Sequence, residues 1–494
     1  MAANLRDAEI KDQLRAQFVG KTLSDVPTPS VVLDLSKLEI NCERMLEATE
    51  RLGLLWRAHI KSHKTTELTR LQVGDTRSTP VSLIVSTIIE AEKILPLLQE
   101  YQSHGRPVNV LFSFPLFPSA IPRLGAFASV LGPGSLSLMI DHPSQLTTLA
   151  SAPTPPFPHP PQIFLKIDTS YGRAGVPPNT PACSALIAAA LDAEEKGLCT
   201  LHGLYSHAGH SYGVRGRPGG PGGAAADNDA WAYLAAEFRG LAVVATEVVA
   251  GRRNKSEGES KPLVLSVGAT PTATVVQQPA FLSLSGEEGP DGGGKPGSEG
   301  MGLVEKFVRE LKGKGFALEV HAGVYPTLDM QQLATHARDE SLMTADDIAI
   351  SVIAEVASIY PGRGVNGTTE ALINAGTLAL GREPVADKGE IPGQDYHGWG
   401  FLMPWGLDNP VPGPDFPRVH DGWQVGRISQ EHGILTWQGS KEDEVPLRYG
   451  QRVRVWPNHS CIAGAGFDWY LIVDSRNKDG EDQVVDVWPR WRGW

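Results

Sequence analysis

Two short runs of this 494-residue chain carry side chains with chemistry to offer. The first is His59-Ile60-Lys61-Ser62-His63-Lys64-Thr65, at the end of the apolar run 57–60. A lysine placed directly after a buried strand loses solvation, which disfavours its charge and turns it towards an amine able to form a Schiff base. Lys61 and Lys64 can equally be solvated loop lysines, and position alone does not separate the two readings. The second run is His459-Ser460-Cys461. Imidazole and thiolate at i and i+2 project to one face of an extended strand, and Zn²⁺ takes both at about 2.0–2.3 Å. Two protein ligands are too few for a structural zinc site, so the pair suggests a catalytic metal with open positions. A His-x-Cys spacing also arises by chance.

The elements that must position these residues show in the hydrophobic pattern. Short apolar runs rich in β-branched residues alternate with helix-like segments at 57–60, 82–86, 108–112, 137–140, 163–167, 202–206, 263–267 and 318–321. Eight such units are the count of an α/β fold with a parallel (β/α)8 TIM barrel, whose active sites lie at the C-terminal ends of the strands. An open doubly wound sheet is the alternative. Beyond about residue 338 the runs 348–359, 423–429, 451–456, 469–473 and 483–488 have no helix partners and are punctuated by Gly and Pro, which predicts an all-β domain. The strand-like run 30–35 could pair with it. The expected division is an N-terminal segment 1–28 packing on the β domain, a barrel domain 29–338 and a C-terminal β domain 339–494. Residues 213–229 and 286–302 are too rich in Gly to offset ordering entropy and are expected as flexible insertions, either a lid or surface ornaments; 153–161 is Pro-rich and expected as a stiff connector.

With 44 Lys+Arg against 56 Asp+Glu, the net charge of −12 disfavours nucleic acid as a partner, since no basic run offsets it. The charged residues among the first 18 match neither a signal nor a transit peptide, and no apolar stretch approaches the ~20 residues of a membrane span. Four scattered cysteines (Cys42, Cys183, Cys199, Cys461) do not make a disulfide framework, which fits a reducing, cytoplasmic compartment.

Further motifs stand in order along the chain: Pro29-Ser30-Val31-Val32-Leu33-Asp34, Ser86-Thr87, Asp141-His142-Pro143, Lys166-Ile167-Asp168-Thr169 with Gly172-Arg173-Ala174-Gly175, and Leu204-Tyr205-Ser206-His207-Ala208-Gly209-His210-Ser211-Tyr212. They continue with Ser266-Val267-Gly268-Ala269-Thr270, His321-Ala322-Gly323-Val324-Tyr325, Pro457-Asn458-His459-Ser460-Cys461 and the closing Trp488-Pro489-Arg490-Trp491. From about residue 27 to its end, insertions aside, the chain resembles the eukaryotic-type D-serine dehydratases and the D-threonine aldolases. These are fold-type III pyridoxal phosphate enzymes built like alanine racemase.

The resemblance implies that Lys61 is the catalytic residue and holds pyridoxal 5′-phosphate as an internal aldimine. It implies that Tyr205, Tyr212, Thr270, Gly323, Val324 and Arg173 contact the cofactor, and that His459 and Cys461 bind Zn²⁺. A phosphate dianion suits the close backbone approach of Gly323 and Gly268 beside the Thr270 hydroxyl. Relatives commonly have Asn at the position of Val324, where only a backbone contact survives. The aldolases generally show His-x-Asp and favour Mn²⁺, so Cys461 points to dehydration of D-serine to pyruvate and ammonia. D-threonine aldolase and 3-hydroxyaspartate dehydratase activities are the alternatives on this scaffold, and a pyridoxal phosphate carrier the non-enzyme one. The resemblance further implies a head-to-tail homodimer, the β domain of one subunit closing the mouth of the other.

Overall fold

The computed structural model describes residues 2–494 except 151–156, 214–229, 254–261, 279–280, 282–298, 339–340, 386–397, 408–415 and 417–419. After an N-terminal helix, Ala2–Phe18, comes β1 (Ser30–Asp34). Eight parallel strands follow: β2 (Leu55–His59), β3 (Val81–Val85), β4 (Val108–Pro115), β5 (Leu136–Ile140), β6 (Gln162–Lys166), β7 (Thr200–Tyr205), β8 (Val264–Val267) and β9 (Ala317–Ala322). They close in sequence order into a barrel, with Leu55 to Ala58 of β2 in register with Glu319 to Ala322 of β9. This is the expected TIM barrel, each strand overlapping its apolar run. Such strands are covered on both faces and therefore read as nearly continuous apolar sequence. Ile84, Leu111, Met139, Phe164, Tyr205 and Val264 fill a buried interior cluster.

The barrel interior is not wholly apolar. Arg57 Nε donates to Glu319 Oε1 at 2.8 Å, both side chains being 2% exposed, and Arg57 also donates to Asn109 Oδ1 at 2.7 Å. Removing one partner of such a pair strands the other's charge, so Glu319→Ala is expected to destabilise the fold by about 3–5 kcal/mol. Thermal or denaturant unfolding of the variant measures this; a loss under 1 kcal/mol would contradict it.

The remaining strands are β10 (Ile350–Tyr360), β11 (Glu370–Ile373), β12 (Gly400–Leu402), β13 (Trp423–Ser429), β14 (His432–Trp437), β15 (Arg452–Pro457), β16 (Trp469–Val473) and β17 (Asp486–Pro489). With β1 they form one sheet in the order β11-β14-β13-β12-β15-β10-β1-β16-β17. Long β10 bends at a register shift between Val356 and Ser358, so its second half reaches β11 and six strands close on themselves. β1 lies antiparallel to β10 and parallel to β16. It thus belongs to this sheet, whereas the barrel's own first strand begins at Leu55. Leu14 and Phe18 of the N-terminal helix pack in a cluster with Val32, Leu471 and Val487, so both chain ends build this unit.

Of the expected insertions, 214–229 and 286–298 lie outside the described residues. Gly213 ends a 3₁₀ turn, and residues 299–302 begin the helix Glu299–Gly313 rather than continuing an irregular loop. Of the Pro-rich connector, only 157–161 are described.

Candidate active site

Lys61 sits just past β2, in a turn fixed at several points. Lys64 N–H donates to Ile60 O at 2.9 Å, and Ser62 Oγ donates to Gly323 O at 2.7 Å. His63 is fully buried between Thr65 Oγ1 (3.0 Å) and Gln72 Oε1 (2.9 Å), and Thr65 caps the helix Thr66–Val73. Within this turn the two lysines part. Lys64 takes a left-handed backbone (φ 52°) and its Nζ pairs with buried Glu90 at 2.9 Å. Lys61 Nζ has no hydrogen bond or ion pair among the described residues, and its charge acts on His59, His207, His321 and Cys461.

Around it, the C-terminal ends of β7, β8 and β9 bring several of the sequence-predicted residues together. Thr270 opens the short helix Thr270–Thr274, and Val324 N–H donates to its Oγ1 at 3.1 Å. Tyr212, in the 3₁₀ turn Gly209–Gly213, lies beside Thr270 and Gln332. Gly268 is required where it stands, and Gly323 is closely packed. A Cβ on Gly323 would lie 3.1 Å from the His59 backbone oxygen, and one on Gly268 (φ +143°) would lie 2.3 Å from the His321 oxygen. Tyr205 is buried, its ring stacked on His321 at 4.2 Å and 13°, with Lys166 Nζ 4.2 Å from its centroid. Burial pushes the phenols of Tyr205 and Tyr212 well above their usual range. Arg173 stands apart: it is exposed at the rim, stacked on Tyr171 at 4.9 Å, and reaches the others only through its charge.

His459 and Cys461 come together, but not on a strand. β15 ends at Pro457, His459 is the N-cap of the helix Ser460–Ala465, and Cys461 lies in its first turn. The expected i, i+2 strand geometry is corrected by a contact from the barrel. Asp329, buried after β9, accepts from Ser460 N–H at 2.8 Å and from Gln332 N–H at 2.9 Å, and so holds a helix start where a strand would run on. The two side chains still lie near enough to act on each other's charge. Burial pushes the Cys461 thiol up, yet His459 and Lys61 together pull it below its ordinary value. For His459, burial is outweighed by Cys461 and Asp329, which bring the imidazole up to about 9. Its Nδ1 is taken by Gln331 Oε1, which leaves Nε2 as the nitrogen open to a ligand.

The same loop joins the two halves of the site. Thr327 Oγ1 lies 3.2 Å from Val324 O and donates to Ser460 Oγ at 3.1 Å, and Gln331 N–H donates to Asn458 O at 3.1 Å.

Several residues at the mouth carry no role in the sequence reading. Glu237, from the helix Ala230–Arg253, is fully buried and accepts from Ala208 N–H (3.1 Å), Gly268 N–H (3.2 Å) and Thr272 Oγ1 (3.2 Å). It ties the loop after β7 to the loop after β8. A lone acid among the buried Leu234, Phe238 and Leu241 was the available signal. Glu237→Ala should cost about 3 kcal/mol or more, because its donors stay buried without an acceptor at about 1–3 kcal/mol each. Denaturant unfolding tests this, and a change below 1 kcal/mol would show that the donors find other partners. Burial also drives the Lys166 amine down to about 7.

The residues suit the expected groups. A free amine, a Thr hydroxyl beside a backbone N–H and a buried unpartnered ring nitrogen at His321 Nε2 are what a phosphorylated heterocycle with an aldehyde would use. One imidazole and one thiol suit a metal with open positions. Among the described residues no group of three or more His, Cys, Asp or Glu side chains forms a metal cage.

A family model described as "Putative serine dehydratase domain" matches residues 349–473. The D-serine dehydratase of Schizosaccharomyces pombe is 36% identical over 98% of this chain and 96% of its own length. That of Saccharomyces cerevisiae is 28% identical over 97% and 99%. Among solved structures, the D-threo-3-hydroxyaspartate dehydratase of Delftia sp. HT23 shares the fold with a TM-score of 0.67 at 24% identity, covering 96% of this chain and 100% of that one. The likeness to curated dehydratases spans barrel and β sheet alike, and this chain belongs to the D-serine dehydratase family.

Proposed function

We propose that this enzyme dehydrates D-serine to pyruvate and ammonia, using pyridoxal 5′-phosphate on Lys61 and zinc on His459 and Cys461. The observation that carries the reading is the joining of the two motifs by the segment after β9: Ser62, next to Lys61, donates to Gly323 O, and Asp329 and Thr327 of the same segment hold Ser460, between His459 and Cys461. When bound, pyridoxal phosphate supplies an electron sink for the pair left on the α carbon, and zinc a Lewis acid for the β-oxygen. Lys61 Nζ, which has no other partner among the described residues, takes the α proton. The Thr270 hydroxyl and the backbone of Gly323 and Val324 hold the phosphate, Tyr205 and Tyr212 flank the ring, and Arg173 orients ligands at the rim. The β-hydroxyl leaves as water with the proton that Lys61 took from the α carbon, and a solvent water hydrolyses the released enamine to pyruvate and ammonia.

A second reading, dehydration of 3-hydroxyaspartate, draws support from the Delftia dehydratase, which is 26% identical over 96% of this chain. Incubation with D- and L-serine, threonine and 3-hydroxyaspartate, assaying keto acid, ammonia, glycine and aldehyde together, separates the readings. Pyruvate and ammonia from D-serine are expected. Glycine and aldehyde without ammonia would turn the assignment to an aldolase.

The working form is a homodimer in this proposal. Phe114 and Phe117, at the mouth end of β4, are 58% and 36% exposed, and Leu378 and Ile462, on the helices beside the metal pair, are 63% and 44% exposed. These apolar patches, one on each unit, suit a second copy placed head to tail, which would shield the mouth from water. Light scattering should give twice the 53.1 kDa chain mass. A fully active monomer at assay dilution would count against it. Among the described residues no helix is long and apolar enough to cross a membrane, and the four free thiols support a cytoplasmic setting.

A further inference from the structure

His321 stands near the end of β9, two residues before Gly323, and is 2% exposed. Its hydrogen bonding can be worked out from the groups beneath it. Glu319 Oε1 accepts from Arg57 Nε at 2.8 Å and from Ser266 Oγ at 2.7 Å. A serine hydroxyl has one hydrogen, and here it goes to the carboxylate. Ser266 Oγ also lies 3.0 Å from His321 Nδ1, so at that contact the oxygen must accept and Nδ1 must carry the proton. Burial, with the Lys166 and Arg57 charges, holds the imidazole well below its ordinary pKa and hence neutral. A neutral ring protonated at Nδ1 has a lone pair at Nε2. That atom is buried and has no hydrogen-bond partner among the described residues. Stacking on Tyr205 fixes the plane in which the lone pair points.

An unpartnered buried acceptor calls for a donor. This step rests on the reading that the mouth holds pyridoxal phosphate, whose polar atoms can be sorted by hydrogen-bonding sense. The phosphate accepts, the ionised phenolic oxygen accepts, and the aldehyde carbon is engaged by Lys61. The imine N–H formed with Lys61 is accepted by that phenolic oxygen, which leaves the ring nitrogen, when protonated, as the donor free to meet a protein acceptor. A substrate hydroxyl is drawn instead towards His459 and Cys461. We infer that His321 Nε2 accepts a hydrogen bond from the protonated ring nitrogen of the cofactor, and that Arg57, Glu319 and Ser266 are positioning residues that hold His321 in the tautomer able to do so. A cofactor ring protonated in this way is the stronger electron sink for α-proton removal.

The test is nitrogen NMR of the holoenzyme reconstituted with pyridoxal phosphate labelled at the ring nitrogen, for the wild type, His321→Phe and Ser266→Ala. Phenylalanine keeps the stacking on Tyr205 and removes the acceptor; the serine variant leaves the imidazole in place and frees its tautomer. The expected result is a protonated ring nitrogen in the wild type, an unprotonated one in His321→Phe with the visible absorption band retained, and a reduced protonated fraction in Ser266→Ala. Cofactor affinity should fall about 10- to 100-fold in His321→Phe, the worth of one hydrogen bond to a charged group. If that variant does not fold, Ser266→Ala alone decides. An unprotonated ring nitrogen in the wild type, or one protonated alike in every variant that folds, overturns the inference. A wild type that forms no visible band with pyridoxal phosphate overturns the cofactor reading itself, and this one with it.

Discussion

Stripping divalent metal from the purified enzyme should lower D-serine dehydration by about 10²- to 10³-fold, the rate equivalent of several kcal/mol of Lewis-acid assistance. The visible absorption of the cofactor should persist, because Lys61 and the Thr270–Val324 contact, rather than His459 and Cys461, would hold it. Adding zinc back should restore the rate. Cys461→Ala should reproduce the loss without rescue, since the remaining imidazole is held by Gln331 on one side only. Cys461→Asp should shift the preference towards manganese, a harder ion that suits an oxygen ligand. Metal-free protein that turns over D-serine at an undiminished rate would remove the metal from the account and leave the pair as a structural contact between the barrel loop and the β sheet.

Replacing Lys61 by alanine should abolish the linkage that borohydride reduces and slow turnover on the order of 10³-fold or more, the usual worth of a positioned proton-transfer group. Lys64→Ala should act differently. Its amine neutralises buried Glu90, which also accepts from Ser86 N–H and Thr87 Oγ1, so losing it should destabilise the turn while leaving the linkage intact. Proteolytic mapping of the reduced adduct distinguishes the two lysines. An adduct on Lys64 would reverse their roles.

The barrel was legible because its strands are buried on both faces, and runs such as Val81–Val85 and Leu136–Ile140 have no polar alternation to confuse with a surface strand. Strands β11, β12 and β14 escaped notice for the opposite reason. Two are only four and three residues long, and the third carries polar residues on one face. They form because distant strands pair with them, β10 bending to meet β11, β15 pairing with β12 and β11 with β14, long-range facts with no local signature. At the site, Lys61, Thr270, Val324, His459 and Cys461 could be named from motifs, and the fold brings them to one mouth. The geometry of the metal pair was not legible. It depends on Asp329, more than a hundred residues earlier in the chain, capping Ser460. The roles of Glu237 and His321 were hidden although both residues stood out in the sequence, because what matters in each is which donors and acceptors surround it, and those come from β7, β8, β9 and a helix that meet only in the folded barrel.

The account stands or falls on Lys61 and the His459–Cys461 pair serving a single site. A crystal structure of the holoenzyme, with data collected at the zinc absorption edge, measures this most directly. The expected result is one anomalous peak within about 2.0–2.3 Å of both His459 and the Cys461 sulfur, and continuous density from Lys61 Nζ to a phosphorylated ring whose phosphate meets Thr270 and Val324. Metal bound elsewhere, or density running from Lys64, would contradict it.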